Sequence, residues 1–327
     1  MDMKGWKIVC LISGIILFAF CGVCLAQDKY PIRPIELVIP FSAGGSADLA
    51  ARTYADDLSK ALKVSIYAVN RAGGSGIQGV AFVTKSKKDG YTLLGVTDTP
   101  LIIMPAISKE VTYDPVKDLV PIGHLGYANT MFAVRADAPY KTLKDLIDYA
   151  RQNPGKLKCG VGGIGNEGNF NMVLLNSKEK INITSVPFLS GGEALPALLG
   201  GHVDLSSNTV ATLGSQIKAG KLRGLAIASK KRHPDFPDIP SMAELGHPDI
   251  TFAVWFGLFA PTGVPRHVID VLTPVVAKVF QSPAVTKRCD TLGIVHEYLG
   301  PAELGKLLET QVGTIEKVAR EVGMQKK

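Results

Sequence analysis

Reactive side chains are scarce in this chain, and the scarcity excludes most enzyme chemistry. There are five cysteines among 327 residues, and three of them precede residue 27. No Cys-x-x-Cys occurs, and the remaining Cys159 and Cys289 lie so far apart that spacing says nothing for a bridge. They read as two buried free thiols. The six histidines, His124, His202, His233, His247, His267 and His296, never come in pairs at metal-ligand spacing, and each reads as a surface or loop residue. Ser46 and Ser75 stand near glycines, yet neither completes the Gly-x-Ser-x-Gly elbow of a hydrolase. No catalytic residue and no metal site are therefore expected. The net charge of +7 favours anionic ligands, but it is scattered, and the one dense run, Lys230-Lys231-Arg232, reads as a solvated loop. Nucleic acid is not an expected partner. With 46% hydrophobic and 7% aromatic residues the composition is that of an ordinary globular protein.

Long apolar runs are absent too, except at the start. Lys4 and Lys7 precede an uncharged run from Ile8 to Leu25, and Cys24-Leu25-Ala26 offers small residues for cleavage. Residues Met1 to Ala26 thus read as an export leader. A membrane anchor is the alternative, since the run approaches the roughly 18 apolar residues of a spanning segment. Polar Gln27-Asp28-Lys29 and then Pro31 and Pro34 follow at once and favour cleavage. Neither Cys21 nor Cys24 has a small residue before it, so lipid attachment is not expected.

What the chain does have is glycine at strand ends. Ile35 to Ile39 is short, apolar and branched, fenced by Pro34 and Pro40, and reads as a buried strand. Leu49 to Leu58 carries apolar residues at helical spacing. Between them lies Pro40-Phe41-Ser42-Ala43-Gly44-Gly45-Ser46-Ala47-Asp48. Paired glycines let the backbone approach a ligand, and the first helical turn offers unpaired N–H groups to an anion. Similar pairs recur at Gly73-Gly74, Gly162-Gly163 and Gly191-Gly192. Further strands are expected at Val64 to Val69, Thr92 to Val96, Met131 to Val134, Lys158 to Val161, Ile183 to Val186, Val203 to Ser206 and Leu225 to Ala228. Helices alternate with them, as at Thr142 to Gln152, where Thr142 and Asp145 form a capping-box-like pair. The C-terminal end reads as helices over Arg266 to Gln281, Pro283 to Leu292 and Pro301 to Val322, with one strand at His296 to Leu299. The alternation predicts an α/β fold, with ligand loops at the carboxyl ends of parallel strands.

Two Gly-x-Gly-x-x-Gly matches open a rival reading, a dinucleotide-dependent oxidoreductase. They are Gly160 to Gly165 and Gly74 to Gly79, the second with Asp98 at a distance suited to a ribose. The motif is weak alone, and an export leader argues against a nicotinamide cofactor. No cofactor is expected.

The assembled landmarks are similar to one family over about Tyr30 to Leu308. They include Tyr30-Pro31, Val38-Ile39-Pro40-Phe41, Gly44-Gly45-Ser46-Ala47-Asp48, Asn70-Arg71-Ala72-Gly73-Gly74-Ser75-Gly76 and Asp89-Gly90-Tyr91-Thr92-Leu93-Leu94. Tyr113-Asp114-Pro115, Val186-Pro187-Phe188, Leu199-Gly200-Gly201-His202-Val203-Asp204 and Trp255-Phe256-Gly257-Leu258-Phe259-Ala260-Pro261 continue the series. In order, they resemble the Bug, or TctC-like, extracytoplasmic solute receptors of tripartite tricarboxylate transporters. The resemblance implies a two-lobed periplasmic binding protein of type II, each lobe a mainly parallel sheet flanked by helices, with the ligand cleft between lobes. Lobe 1 would hold residues 27–128 and 249–327, lobe 2 residues 129–248, with the two crossovers as hinge. It also implies a small organic carboxylate as ligand, two membrane subunits as partners, a monomeric receptor and no catalysis. A sensory receptor signalling to a membrane kinase is the alternative within the same fold.

Carried over residue by residue, the first loop would place Phe41, Ser42, Ala43, Gly44, Gly45, Ser46 and Asp48 around the ligand carboxylate, with Asp48 fixing the loop. Thr97, Asp98 and Thr99 would face the cleft. From lobe 2 come Gly165, Asn166, Glu167, Phe188, Ser207 and Asn208. There the chain departs from its relatives: Gly163-Ile164-Gly165-Asn166-Glu167-Gly168-Asn169 replaces a hydroxyl-rich segment, Phe188-Leu189 a phenol–cation pair, and Asn208 an aspartate. These changes favour a monocarboxylate whose other end is apolar, aromatic or a hydrogen-bond donor, rather than citrate. Glu167 either points to solvent or, inside the cleft, calls for a donor.

Overall fold

The strand expected at Ile35 to Ile39 forms over those residues as β1, and every side chain of it but Glu36 is buried. Both faces are covered, which is why the run is continuously apolar. The computed structural model describes residues 29–321 and 323–324; the leader, Met1 to Ala26, lies outside the described residues. From Arg33 onward the chain forms one compact unit.

After β1 come α1 (Ser46–Leu62), β2 (Ile66–Asn70), α2 (Ile77–Lys85) and β3 (Thr92–Thr97). Two short helices, α3 (Met104–Ile107) and α4 (Pro115–Asp118), lead into β4 (Leu119–Arg135). Then follow α5 (Leu143–Gln152), β5 (Lys158–Val161), α6 (Glu167–Glu179), β6 (Thr184–Pro187), α7 (Gly191–Leu199), β7 (Leu205–Thr209), α8 (Val210–Lys218) and β8 (Leu222–Ile227). The chain closes with β9 (Ala253–Pro261), α9 (Arg266–Phe280), α10 (Pro283–Thr291), β10 (Val295–Leu299) and α11 (Pro301–Glu321). The capping box at α5 is present as expected, with Thr142 and Asp145 bonded reciprocally.

β4 organises the sheet. Along Leu119 to Asn129 it pairs antiparallel with β9, from Pro261 back to Ala253, and β10 joins its other edge near His124 to Tyr127. From Thr130 onward its partners change to β7 and β8. One strand thus belongs to two sheet halves. The first half contains the parallel set β2-β1-β3, the second the parallel set β7-β5-β6. Every antiparallel pair involves β4 or β9. Side chains alternate along β4 as a pleated strand requires. Phe132 and Val134 enter one apolar cluster with Leu146, Phe170 and Leu205, while Met131 and Ala133 enter another with Leu198, Leu213 and Ile227. Fully burying a side chain of this size contributes about 1.5–3 kcal/mol.

The strand expected at Met131 to Val134 is therefore only the end of a seventeen-residue strand. The segment before it contains Pro121, Gly123 and Gly126, and the ladder slips in register at these places. His124 lies on this segment and is buried (1% exposed), and His233 is buried as well. The surface-or-loop expectation for His124 is corrected: a strand carries it inward. Cys159 and Cys289 are free and buried. Among the described residues no single helix is long and apolar enough to cross a membrane.

Candidate functional site

Four helices of nine or more residues begin at one small cavity. Gly45, Ser46 and Ala47 bring the start of α1, and Asn166, Glu167 and Gly168 that of α6. Ser190 and Gly191 bring α7, and Thr209 brings α8. Each start follows the carboxyl end of a strand in a parallel set, β1, β5, β6 and β7, where α/β sheets collect their ligands. Each first turn also leaves N–H groups that no helical carbonyl can accept from. Asn166, Ser190 and Thr209 cap one N–H apiece with their own side chains, whereas Gly45 has none to offer α1. The four positive dipole ends make the cavity suited to an anion. Among the described residues no Lys, Arg or His lines it.

Two further polar atoms point to a missing partner. Thr97 and Thr99, after β3, and Thr130 and Val254, from the crossing strands, complete the wall with Phe41, Gly162 and Asn208. Thr97 Oγ1 and Asn208 Nδ2 are buried and make no hydrogen bond to the described residues. Buried polar atoms are rarely left so.

Asp48 fixes the first loop instead of facing the cavity. The Gly44 N–H donates to its carboxylate at 3.1 Å, Arg52 Nε at 3.0 Å and Asn70 Nδ2 at 3.0 Å. Asn70 also donates to the Phe41 carbonyl at 2.9 Å. Burial alone would raise the Asp48 pKa, but these hydrogen bonds outweigh it and hold the carboxyl below its ordinary value. Gly44 takes φ +80°, a conformation that favours glycine.

Glu167 is in the opposite state. It is 2% exposed, which removes the solvent-facing alternative. Thr99 Oγ1 donates to its Oε1 at 2.6 Å, and its carboxyl meets that of Asp98. Burial pushes Asp98 well above the usual carboxylate range, and the neighbouring Glu167 charge pushes the same way. Burial also raises Glu167, against the hydrogen bonds it receives from Asp98 and Thr99. The pair holds one proton and one negative charge in common.

Of the expected residues, Phe41, Gly45, Ser46, Thr97, Thr99, Asn166, Glu167 and Asn208 line the cavity. Ser42, Ala43, Gly44 and Asp48 frame it from the first loop without lining it. Asp98 lies behind Glu167, on the wall of a second cavity. Gly165 faces away: a Cβ there would press on Ile107 and Met104. Phe188 packs on the cluster of Met131 and Leu198, and Ser207 sits under the backbone of Gly168. Sequence reasoning did not single out Ala47, Thr130, Gly168, Ser190, Thr209 or Val254. The pairs Gly162-Gly163 and Gly191-Gly192 were a usable signal for two more positions.

The cavity encloses about 30 Å³, room for a water or two. Loops from the two sheet halves close over it. Ser75 Oγ donates to the Ile164 carbonyl at 2.8 Å, and a Cβ on Gly192 would lie 2.7 Å from the Gly44 carbonyl carbon. An organic acid enters only if these loops part.

Sequence and structure comparisons decide the family. The profile of the tripartite tricarboxylate transporter family receptor, TctC, matches residues 50–324. The chain belongs to the TctC family. BugT of Bordetella pertussis is 29% identical over 326 residues, covering 99% of this chain and 100% of BugT. A solved R. palustris protein, Rpa4515 with adipate, superposes with a TM-score of 0.87 at 30% identity, covering 91% of this chain and 100% of the other. MatC of Rhodopseudomonas palustris, with bound malate, gives a TM-score of 0.83 at 28% identity over 88% of this chain and 99% of its own. As a TctC receptor the chain is a solute-binding protein, not an enzyme, of the periplasmic binding fold. Among the described residues no group of three or more His, Cys, Asp or Glu is placed to hold a metal ion.

Proposed function

We propose that this TctC receptor is exported by its leader, captures a small organic monocarboxylate in the cavity beneath the four helix N-termini, and presents it to two membrane subunits of a tripartite transporter. The convergence of those N-termini carries the reading: an anion is met by backbone N–H groups, with no basic side chain on the wall among the described residues. Thr97 Oγ1 and Asn208 Nδ2 supply two further partners. Adipate and malate in solved relatives support the carboxylate class. Glu167, buried and negative as half of a pair, disfavours a second ligand carboxylate. The far end of the ligand is therefore apolar, aromatic or a donor that Glu167 accepts from.

The reading includes two lobes, residues 27–128 with 249–327 and residues 129–248. They hinge where β4 exchanges β9 for β7 between Asn129 and Thr130. A ligand that binds the closed form alone shifts the population toward it. The receptor acts as a monomer, since one cleft holds the whole site.

A thermal-shift screen of organic acids tests it. Ligand at a hundredfold excess over Kd stabilises the native state by about 2.7 kcal/mol. Gly45→Asp puts a carboxylate into the cavity and is expected to abolish the shift with monocarboxylates. Strong stabilisation by citrate, with none from aromatic or aliphatic monocarboxylates, would sink the ligand class. A shift that persists in Gly45→Asp would sink the site.

A further inference from the structure

Behind the Asp98–Glu167 pair, on the far side from the helix N-termini, lies a second cavity of about 540 Å³, within the range of small-molecule sites. β4, β9 and β10 form its floor and α11 one wall. Trp255, Phe252, Tyr127 and Ile103 give it an apolar, aromatic lining. Among the described residues its ionisable side chains, Asp98, Asp249, Glu297, His124 and Tyr127, include no lysine or arginine, in a chain whose net charge is +7. Lys178 occupies Asp249 at 2.6 Å from outside. Asp98 brings the negative charge it shares with Glu167 to the inner wall.

His124 adds the second observation. Its Nδ1 lies 2.7 Å from the Glu297 carbonyl oxygen, which can only accept, so Nδ1 carries the hydrogen. Nε2 is then a bare acceptor, and it is buried without a partner among the described residues in a side chain 1% exposed. Burial pulls the His124 pKa down to about 4, so the ring stays neutral and Nε2 unprotonated near neutral pH. Trp255 stands edge-on to the ring, 6.0 Å between centroids. A bare acceptor, a shared negative charge and aromatic walls together match a cationic donor with an apolar body.

We propose that this rear cavity binds a small organic amine in its ammonium form, with its N–H groups on His124 Nε2 and the Asp98 carboxyl and its apolar body against Trp255 and Phe252. The site does not depend on the carboxylate reading of the front cavity.

The test uses the full chain carrying Trp6→Phe, which leaves Trp255 as its one tryptophan. Titration with 2-phenylethylamine is expected to change Trp255 emission saturably, while the neutral 2-phenylethanol gives a markedly weaker response. Thr314→Lys, at an exposed position on the cavity wall, adds a competing cation and should weaken the amine about tenfold or more. Gly45→Asp, in the front cavity, should leave amine binding intact. No saturable change at millimolar amine overturns the proposal. So does an equal response to the alcohol, unweakened binding in Thr314→Lys, or loss of amine binding in Gly45→Asp, which would move the amine to the front cavity.

Discussion

Asp48 and Glu167 occupy matching places and behave in opposite ways. Each sits in the first turn of a helix whose N-terminus meets the front cavity, and each is nearly fully buried, 3% and 2% exposed. Both gain from the helix dipole. What separates them is the neighbour. Asp48 receives hydrogen bonds from Arg52, Asn70 and the Gly44 N–H, and stays ionised. Glu167 faces Asp98, another acid, and the two retain a proton. Position on a helix therefore does not assign a carboxyl its role; the groups across from it do. One acid builds a loop, and the other leaves a charge in search of a donor.

Truncating the first acid should give the largest effect. Asp48→Ala leaves the Gly44 N–H and Asn70 short of an acceptor and is expected to cost about 2–3 kcal/mol, below the figure for a fully buried ion pair, because Arg52 is 52% exposed. Since the Asp48 pKa is depressed in the folded state, its contribution is present above the unfolded value of about 3.9 and lost as pH falls through the folded value. Urea midpoints of wild type and variant should thus differ most at pH 7 and draw together as pH falls through the folded value. Asp98→Asn should do the reverse. A raised carboxyl pKa stabilises at acid pH and loses that contribution as pH rises through the folded value. The isosteric amide removes the loss, so the variant should be more stable than wild type at pH 8 and less so, relative to it, at pH 4. A variant less stable than wild type at pH 8 would mean that the pair has a compensating cation. The smallest effect belongs to Thr99→Val, which deletes the 2.6 Å hydrogen bond to Glu167 and should cost about 1 kcal/mol in the same measurement.

The loops were far more legible in the sequence than the strands that cross beneath them. β1 and β5 form over the expected residues because short apolar runs bounded by breakers announce local structure. β9 and the first part of β4 did not stand out. Their pairing joins residues more than a hundred positions apart, and Pro121, Gly123 and Gly126 read as turn residues although they mark register slips within a strand. The site divides along the same line. Glycine pairs before helices gave Gly45 and its neighbours, whereas Thr130 and Val254 reach the cavity only through the long-range ladder of β4 and β9. Asp98 and Glu167 were both visible as candidates, but that they meet, 69 residues apart, is a fact of tertiary packing.

The tethers on Asp48 also bear on time. The loop that leaves the α1 N-terminus uncapped is held by the protein's own side chains, so its conformational entropy was given up during folding. On the proposed function, an arriving anion would meet a finished mould on that side. Encounter would then proceed without a slow ordering step there, and how long the ligand stays would be decided by how often the opposing loops, joined through Ser75 and Ile164, let go.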